Sequence, residues 1–356
     1  MKVPKLEALG WDAWFEEQAR LHCGPAGVVA RVAAVDRDQL LLLNESGAFR
    51  GKLSGKYLYQ SASSAEWPCV GDWVCVDKAT ADQFGMVQGV LARKTSLRRK
   101  AAGESVEFQM IAANVDVVIV VQSCHYDFNL KRLERYLVMA RDGGATPCVL
   151  LTKTDLVEPA EVAALIAQIR TAGIDVPVLT LSNVTREGMA ELRDALESGK
   201  TYCFVGSSGV GKSTLINGLV GREAQQTGGV SGTGEGRHTT VRRELVVLEN
   251  GAMVIDNPGM REFGVLGAEG GIEASYADII SRAGHCRFRD CTHVNEPGCA
   301  VLQALESGEI GTEHYENFLK LRRESGYHQL SQVEKRKKEK DFGRFVHSVK
   351  KHLRDK

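Results

Sequence analysis

Apolar positions in the middle of the chain fall into short continuous runs that alternate with amphipathic stretches. The predicted strands are Val117–Val121, Pro147–Leu151, Val176–Leu181 and Thr201–Val205, and the predicted helices are Leu130–Arg141, Pro159–Ala172 and Arg186–Leu196. Strands that are apolar on both faces and alternate with helices are typical of a parallel sheet covered on both sides. Two further strands are predicted near Glu244–Leu248 and Ala252–Asp256. The central region is therefore expected to be an α/β domain.

Residues 24 to 100 follow a different pattern, in which short alternating strands are separated by turn residues. The candidate strands are Val28–Val35, Gln39–Asn44, Gly47–Leu53, Asp72–Asp77 and Phe84–Leu91. Five short strands in about 70 residues favour a small closed barrel, and the OB-fold is the leading candidate.

Residues 1–22 are predicted to contain a helix with one apolar side. Its apolar residues are Leu6, Leu9, Trp11, Trp14 and Phe15. Such a helix either packs on the body of the protein or binds a partner, and the sequence leaves both interpretations open.

The composition adds only broad limits. Of the 356 residues, 43% are hydrophobic and 25% are charged, and the formal net charge is zero. This length favours two or three domains. The first twenty residues lack the apolar core of a signal peptide, and no apolar run approaches the roughly 18–20 residues of a membrane span. We therefore expect a cytoplasmic protein with no membrane contact.

The nine cysteines divide into three near the C-terminus and six that lie mostly in apolar runs. The six are Cys23, Cys69, Cys75, Cys124, Cys148 and Cys203. A total of nine cysteines is odd, which is typical of a reducing compartment rather than of a disulfide framework. We expect these six to be small core residues.

The main chemical signal is a glycine-rich loop between the strand that ends at Val205 and an amphipathic helical run. The loop and the start of that helix comprise Gly206, Ser207, Ser208, Gly209, Val210, Gly211, Lys212, Ser213 and Thr214. In this pattern the backbone N–H groups and the N-terminus of the helix bind phosphates. Lys212 is expected to reach the β- and γ-phosphates, and the Ser213 hydroxyl to bind Mg²⁺. The protein is therefore expected to bind a nucleotide.

A second motif indicates that the nucleotide is GTP. Thr152, Lys153 and Asp155 follow an apolar strand and match the T/N-K-x-D element of GTPases. The Asp155 carboxylate can accept both guanine N1–H and N2–H₂, a donor pair that adenine lacks, and the Lys153 stem is expected to cover the base. Ser182 and Asn183, after the next strand, are expected to form a second base-reading loop.

A third motif provides the metal and γ-phosphate contacts. Asp256 and Gly259 match the D-x-P/A-G element, in which the carboxylate holds Mg²⁺ through water and the glycine N–H meets the γ-phosphate. In the preceding loop Thr240 is the first candidate for a Mg²⁺ ligand and Thr239 the second. His238, beside them, is the candidate catalytic residue, because a neutral imidazole can orient the attacking water.

The order of these motifs along the chain is permuted. In an ordinary GTPase the base-reading element follows the phosphate loop, whereas Thr152–Asp155 precedes it here. A parallel sheet tolerates this change because the loops at its carboxyl edge converge in space whatever their order. One consequence is that the γ-phosphate-sensing segment Asp256–Gly259 leads directly into the C-terminal region.

A cluster of Cys286, Cys291, His293 and Cys299 follows. Three thiolates and one imidazole complete a tetrahedral Zn²⁺ site of the structural type, which has no open position for catalysis. We therefore expect one structural Zn²⁺. The neighbouring His285 and His314 are expected at the surface.

Two segments are rich in basic residues. Lys320 to Lys356 contains thirteen Lys or Arg against five Asp or Glu, and a basic run follows the predicted barrel. That run contains Arg93, Lys94, Arg98, Arg99 and Lys100. Both segments are consistent with nucleic-acid binding, although a solvated charged surface remains an alternative for each.

The barrel, the permuted GTPase motifs and the Cys-x4-Cys-x-His-x5-Cys module together resemble the ribosome small-subunit-dependent GTPase A family of circularly permuted bacterial GTPases. The resemblance covers nearly the whole chain. It implies a multidomain fold: an N-terminal β-barrel (OB-fold), a central α/β P-loop GTPase and a mostly α zinc-binding domain. The expected boundaries are 1–23 for an N-terminal extension, 24–100 for the barrel, 101–270 for the GTPase and 271–356 for the zinc-binding domain and tail.

The resemblance also implies a function. The expected partner is the small (30S) ribosomal subunit with its 16S rRNA, late in maturation, and the expected activity is subunit-stimulated hydrolysis of GTP to GDP by a monomer. Two residues depart from common GTPases: Thr152 replaces Asn, and Met260 stands where Ras-type enzymes carry the water-orienting Gln.

Two other functions fit the phosphate loop alone. One is a P-loop kinase that phosphorylates a small molecule, which would leave Asp155 and the cysteine cluster unexplained. The other is a nucleic-acid-binding protein in which GTP is only structural. Turnover with and without small subunits would distinguish the three.

Overall fold

The computed structural model describes residues 5–24, 27–36, 39–61, 63–77, 84–100, 108–221, 243–256 and 267–329. The chain divides into two compact units, Met1–Phe263 and Gly264–Lys356. The first unit contains the predicted barrel and the α/β sheet, and the second contains the cysteine cluster.

The barrel is closed, as the strand pattern predicts. Its strands are β1 (Val28–Asp36), β2 (Gln39–Asn44), β3 (Gly47–Leu53), β4 (Trp73–Asp77) and β5 (Phe84–Val90), with α1 (Ala13–His22) before the barrel and α2 (Gly55–Gln60) between β3 and β4. The order β1-β2-β3-β5-β4 returns to β1 through antiparallel pairing of β1 with β4, and β3 runs parallel to β5. Alternate residues such as Val32, Leu42 and Val74 fill the interior, where they are fully buried. The OB-like barrel is therefore confirmed.

The N-terminal segment packs on the body of the protein. The Asp12 carboxylate caps α1 by accepting hydrogen bonds from the backbone N–H groups of Trp14 and Phe15 at 3.1 and 3.3 Å. Phe15 is buried, and the Trp11 ring meets the buried Trp73 ring edge-on at 4.7 Å between centroids. Of the two interpretations of this helix, the structure supports packing.

A two-stranded ribbon, β6 (Ser96–Lys100) paired with β7 (Phe108–Ala113), follows the barrel and was not predicted. Much of the basic run makes contacts within the chain. Arg93 forms a bidentate ion pair with Asp72 at 2.8 Å, and Arg98 contacts Asp142 at 3.2 Å. Lys94 pairs with Asp12, and Arg99 donates to the Gln109 side chain. These contacts hold the run against its own chain, which weakens the interpretation of the run as a nucleic-acid surface.

The α/β part is a mostly parallel sheet. Its strands are β8 (Val117–Ser123), β9 (Thr146–Thr152), β10 (Val178–Leu181), β11 (Thr201–Val205), β12 (Glu244–Val247) and β13 (Met253–Asp256), and its helices are α3 (Leu130–Asp142), α4 (Pro159–Thr171), α5 (Met189–Ala195) and α6 (Lys212–Val220). The order is β10-β9-β8-β11-β13-β12, with β12 antiparallel to β13. β12 also pairs with β1 of the barrel at Ala34 and Glu244, so that the barrel and the sheet form one continuous set of eleven strands.

The second unit is helical in its described part. Its helices are α7 (Glu269–Ser275), α8 (Ala277–Ala283), α9 (Ala300–Glu306) and α10 (Thr312–Gln329). Tyr276 and Phe318 lie in its interior with ring centroids 5.4 Å apart. His314 is also buried and lies 3.3 Å from an Asp278 carboxylate oxygen, so the prediction of a surface position was wrong for His314. His285 is exposed, as predicted.

All of the six scattered cysteines except the half-buried Cys23 lie in the core, as predicted, but the expectation that they are unpaired was wrong for two of them. Cys23, just after α1, is joined to Cys75 of β4 by a disulfide bond, with 5.4 Å between their Cα atoms. Cys75 lies in an apolar strand, where a cysteine is expected to be an ordinary core residue. The sequence therefore does not indicate that this strand contacts the N-terminal segment that carries Cys23. The other four are buried, as predicted. No helix among the described residues is long and apolar enough to cross a membrane.

Candidate functional site

The phosphate loop lies at the carboxyl end of β11, in the centre of the sheet. Gly206 has a φ of 144°, and a Cβ atom there would lie 2.2 Å from the Val121 carbonyl oxygen of β8. Gly211 has a φ of 94° and directly precedes α6, which begins at Lys212. Glycine is required at both positions because a side chain would clash or strain the backbone. The loop therefore adopts the tight turn that presents N–H groups and a helix N-terminus to an anion.

Lys212 folds back over this loop. Its ammonium group donates to the Gly206 carbonyl at 2.7 Å and also to the Ser207 carbonyl. Burial lowers the pKa of Lys212, while the nearby Asp256 and Asp127 carboxylates oppose that shift. Phosphate oxygens carry full negative charge, so they would compete with the two carbonyls for the ammonium.

Asp256 ends β13 beside the phosphate-loop strand, in register with Phe204. Burial raises the pKa of its carboxyl group, and the Lys212 ammonium acts in the opposite direction. Ser213, in the first turn of α6, is exposed. The structure thus places Asp256 and Lys212 at one edge of the sheet. Of the other predicted residues of this part, His238, Thr239, Thr240 and Gly259 lie outside the described residues.

Thr152 joins the base-reading loop to the phosphate loop. Its side chain is fully buried, and its hydroxyl donates to the Val210 carbonyl oxygen at 2.7 Å. The sequence places Thr152 in the base-reading element, and in the structure its side chain bonds to the phosphate loop. The motif predicts that the two loops are neighbours but does not predict this bond.

Ser182 orients the carboxylate of Asp155. The Ser182 hydroxyl donates its proton to Asp155 Oδ1 at 2.5 Å, and its oxygen accepts from the N–H groups of Val184 and Thr185 at 3.1 and 3.0 Å. Asp155 itself is exposed at the sheet edge. Lys153 has a left-handed φ of 60°, which turns the chain sharply between the strand and the carboxylate. The carboxylate is therefore held in place while it remains open to a ligand.

Asn183 makes a further bond between the loops. Its amide Nδ2 donates to the Gly211 carbonyl at 3.2 Å, while its Oδ1 is buried and has no hydrogen-bond partner in the part of the chain that the structure describes. A buried acceptor without a partner costs free energy unless a ligand or water satisfies it. Asn183 can thus accept a hydrogen bond at the point where the second base-reading loop meets the phosphate loop.

Sequence reasoning missed the loop that follows β8. Asp127 lies in this loop, where its carboxylate opposes the lowering of the Lys212 pKa. The same carboxylate pairs with Arg132 of α3 at 2.9 Å. The loop follows the strand adjacent to β11, and that position in a parallel sheet is the signal that could have identified it.

The cysteine cluster of the second unit has the geometry of a metal site. The ligand atoms of Cys286, Cys291, His293 and Cys299 all lie within 4.8 Å of one another. His293 Nδ1 is 3.6 Å from the Cys286 sulfur and 3.5 Å from the Cys299 sulfur, and these two sulfurs are 3.8 Å apart. Bonds of about 2.0–2.3 Å at tetrahedral angles place ligand atoms roughly 3.3–3.8 Å apart. The four residues can therefore hold a metal ion.

Comparisons with known proteins agree with this architecture. The model of the family described as RsgA GTPase matches residues 90–266. Small ribosomal subunit biogenesis GTPase RsgA 2 of Listeria monocytogenes serotype 4b (strain F2365) is 43% identical over 91% of this chain and 90% of the relative. The crystal structure of YjeQ from Thermotoga maritima is 27% identical with a TM-score of 0.63, over 83% of this chain and 97% of that chain. YloQ, described as a circularly permuted GTPase, shares the fold, with a TM-score of 0.60 and 24% identity over 84% of this chain and 95% of that chain.

Proposed function

The chain belongs to the RsgA GTPase family, and we propose that it hydrolyses GTP to GDP and phosphate in the biogenesis of the small ribosomal subunit. The observation that carries this proposal is the convergence of Asp155 and the phosphate loop at one sheet edge, joined by the bond from Thr152 to Val210. A small-molecule kinase would use the phosphate loop but would leave the ordered Asp155 carboxylate without a role. Guanine specificity is the simplest use of that carboxylate.

Asp155 would read guanine N1–H and N2–H₂, with Ser182 holding its carboxylate in place. Lys153 would cover the base, and Asn183 would complete the pocket. The phosphate loop from Gly206 to Thr214 would bind the phosphates. Gly259 would contact the γ-phosphate.

Two metal ions accompany this function. Mg²⁺ would be bound with GTP by Ser213 and by a threonine of the loop preceding Asp256, for which Thr240 is the first candidate and Thr239 the second. Asp256 would hold the ion through water. Zn²⁺ would be held by Cys286, Cys291, His293 and Cys299, and it supplies structural cross-linking rather than chemistry because all four ligand positions are filled.

The partner would be the 30S subunit through its 16S rRNA, bound by a cytoplasmic monomer. The barrel (24–100), the GTPase region (101–270) and the zinc-binding region with its basic tail (271–356) would form the successive functional parts after the extension 1–23. Support for this partner comes from the names of the relatives, which are small ribosomal subunit biogenesis GTPases, and from the basic tail beyond Lys320.

The central test measures GTP turnover by the full chain with and without purified small subunits. We expect slow turnover alone, a large stimulation by small subunits and none by large subunits. Co-sedimentation should be stronger with a non-hydrolysable GTP analogue than with GDP. Phosphorylation of a small-molecule acceptor, or subunit binding indifferent to the nucleotide with no turnover, would contradict the proposal.

His238 is our candidate for orienting the attacking water, since Met260 offers no hydrogen bond. We expect His238→Ala to keep GTP and subunit binding but to lose most of the subunit-stimulated hydrolysis, so that the variant stays on the subunit. His285→Ala, which removes an exposed histidine of the second unit, is the control. Stimulated turnover within a few-fold of the wild type in His238→Ala would reject this role.

A further inference from the structure

The segment between the first two cysteines of the metal cluster exposes an aromatic ring flanked by cations. Arg287, Phe288 and Arg289 are all exposed, and the Phe288 side chain retains 41% of its accessible surface. The Arg287 guanidinium carbon lies 5.4 Å from the centroid of the Phe288 ring. The segment lies between Cys286 and Cys291, two of the four residues that could hold a metal ion.

Phe288 also forms one wall of a cavity of about 470 Å³ within the second unit. Ile272, Ile280 and Phe318 provide the other apolar walls, and Arg289 and Arg322 line the same cavity. The Arg322 guanidinium carbon lies 5.9 Å from the Phe318 ring centroid. Glu269 and Glu273 line the cavity as well and bring acceptors to its α7 side. The volume falls in the range of small-ligand pockets, about 300–1,000 Å³.

A planar apolar group with a negatively charged attachment matches this combination. Bases stack on aromatic rings irrespective of sequence, and arginine contributes both phosphate contacts and cation–π interactions. Paired bases in a helix do not offer their faces, whereas unstacked bases of single-stranded loops do. Arg289 and Arg322 line the cavity together with Glu269 and Glu273, and Arg287 adds a further cation beside the exposed Phe288 ring. Cations on both sides of an exposed ring suit a base with its flanking phosphates.

We propose that this cavity binds an unstacked base of single-stranded RNA, with the base stacked on Phe288 and the flanking phosphates on Arg287 and Arg289. The glutamates of α7 would accept hydrogen bonds from exocyclic amino groups of the base. This inference rests on the proposed function, because it assigns one contact of the second unit with the RNA of the small subunit.

The first experiment measures co-sedimentation of the full chain with small subunits in the presence of a non-hydrolysable GTP analogue. Phe288→Ala should weaken binding roughly tenfold, since stacking contributes substantially for each base, and Phe288→Tyr should restore it. Val294→Ala is the matched control. Val294 follows His293 of the cluster, is an apolar residue with 48% of its surface exposed, and does not line the cavity. Equal metal content in all variants shows that the unit is intact.

The second experiment distinguishes RNA from a protein partner. Tryptophan is placed at Phe288 in one variant and at Val294 in another, and an unstructured RNA oligonucleotide of mixed sequence is titrated into each. The proposal is supported if RNA quenches the fluorescence of tryptophan at position 288 but hardly that at position 294. Adding Arg289→Glu to the 288 variant should reduce this quenching. If Phe288→Ala loses subunit binding but RNA causes no quenching at position 288, the partner of Phe288 would be a ribosomal protein, and the proposal would be overturned.

Failure of the inference is distinguishable from failure of the function. If the wild type binds subunits and hydrolyses GTP on them while Phe288→Ala does the same with unchanged affinity, only the base-binding cavity is rejected. If the wild type itself fails to bind subunits, the proposed function is rejected, and quenching by the oligonucleotide still reports on the cavity.

Discussion

The Asp155 carboxylate is restrained by a hydroxyl group rather than by a cation. Ser182 donates to it at 2.5 Å and is itself fixed by two backbone N–H groups. A carboxylate held this way keeps its negative charge available to a ligand, whereas an ion pair with lysine or arginine would compete with the base. If Asp155 reads guanine as we propose, selectivity rests on a side chain that is already oriented before the nucleotide arrives.

Asp155→Asn tests this selectivity. The amide loses one acceptor and gains a donor, so we expect the preference to move from guanine to a base with an acceptor at C2, such as xanthine. Affinities for GTP and XTP measured with both proteins check the result. Asp175→Asn, at an exposed carboxylate that contacts only Arg170 among the described ion pairs, should leave both affinities unchanged. Normal GTP affinity with no gain for XTP would reject the role of Asp155.

Thr152→Val tests the bond between the two loops. Valine keeps the shape but removes the hydroxyl that donates to Val210, so a buried carbonyl loses its partner at a cost of about 1–3 kcal/mol. We expect a lower free energy of unfolding in urea and a several-fold weaker affinity for GTP. Thr152→Ser, which retains the hydroxyl, should retain most of the affinity. An unchanged affinity in Thr152→Val would mean that the loops are positioned independently.

The motifs predicted a set of nucleotide-site residues, which stays a prediction, but they did not predict the bonds among the described ones. The spacing around Lys212 and Asp155 follows from ligand chemistry, which any chain with this function must satisfy. The hydrogen bonds made by Thr152 and Asn183 to loop carbonyls depend on the packing of three separate strands. No local pattern carries that information.

At the scale of elements, the cysteine cluster is hydrogen-bonded to the helices around it. The Tyr315 hydroxyl of α10 donates to the His293 carbonyl at 2.5 Å, and the Cys299 sulfur accepts from the Leu302 N–H in the first turn of α9. The cysteine spacing predicted that these four residues lie together, because a tetrahedral metal site requires such a set. The packing of α10 against the cluster has no such signature, since the helix is only weakly amphipathic.

Removal of the metal should expose the thiols of the cluster selectively. With a metal bound, we expect Cys286, Cys291 and Cys299 to resist iodoacetamide near neutral pH, and a strong chelator should make all three reactive. Burial raises the pKa of the Cys124 and Cys148 thiols to about 11, so they should remain unlabelled in both states and serve as internal controls. Mass spectrometry of tryptic peptides counts the labels. Equal labelling of the cluster before and after chelation would show that it holds no metal.

At the scale of the whole first unit, one buried arginine connects its separate parts. Arg31 of β1 is 1% exposed, and its guanidinium donates to the carbonyls of Leu9, Gly71 and Asn114 and to the Thr201 hydroxyl. Burial lowers its pKa to about 10, and Asp116 and Asp72 oppose that shift. These partners belong to the N-terminal segment, the barrel and the nucleotide-binding sheet. The arginine therefore connects all three parts by buried hydrogen bonds.

Arg31→Met should lower the free energy of unfolding by about 3 kcal/mol or more, because several buried acceptors lose their donor together. Arg20→Met is the control, since that arginine lies on the surface and pairs only with Glu17 among the described ion pairs, and it should change stability by less than about 1 kcal/mol. Urea unfolding followed by tryptophan fluorescence measures both. Equal stability of the two variants would show that Arg31 does not connect these parts.

The sequence predicted the barrel and the sheet separately but not their union. Each has a hydrophobic period of its own, which is readable in a local window. The union includes the pair of Ala34 with Glu244 and the Arg31 contacts, which join residues far apart in the chain. The disulfide between Cys23 and Cys75 was missed for the same reason: pairing between distant positions has no periodicity.

The pairing of β1 with β12 has a consequence for synthesis of the protein. The barrel can close as soon as β5 has left the ribosomal tunnel, but the β1 edge at Ala34 has to wait for Glu244, which is translated after the whole phosphate-loop region. Until then the nascent chain carries an open strand edge, the kind of surface that recruits neighbouring chains into aggregates. We expect refolding from denaturant, in which all strands are available at once, to depend less on chaperones than folding during translation does.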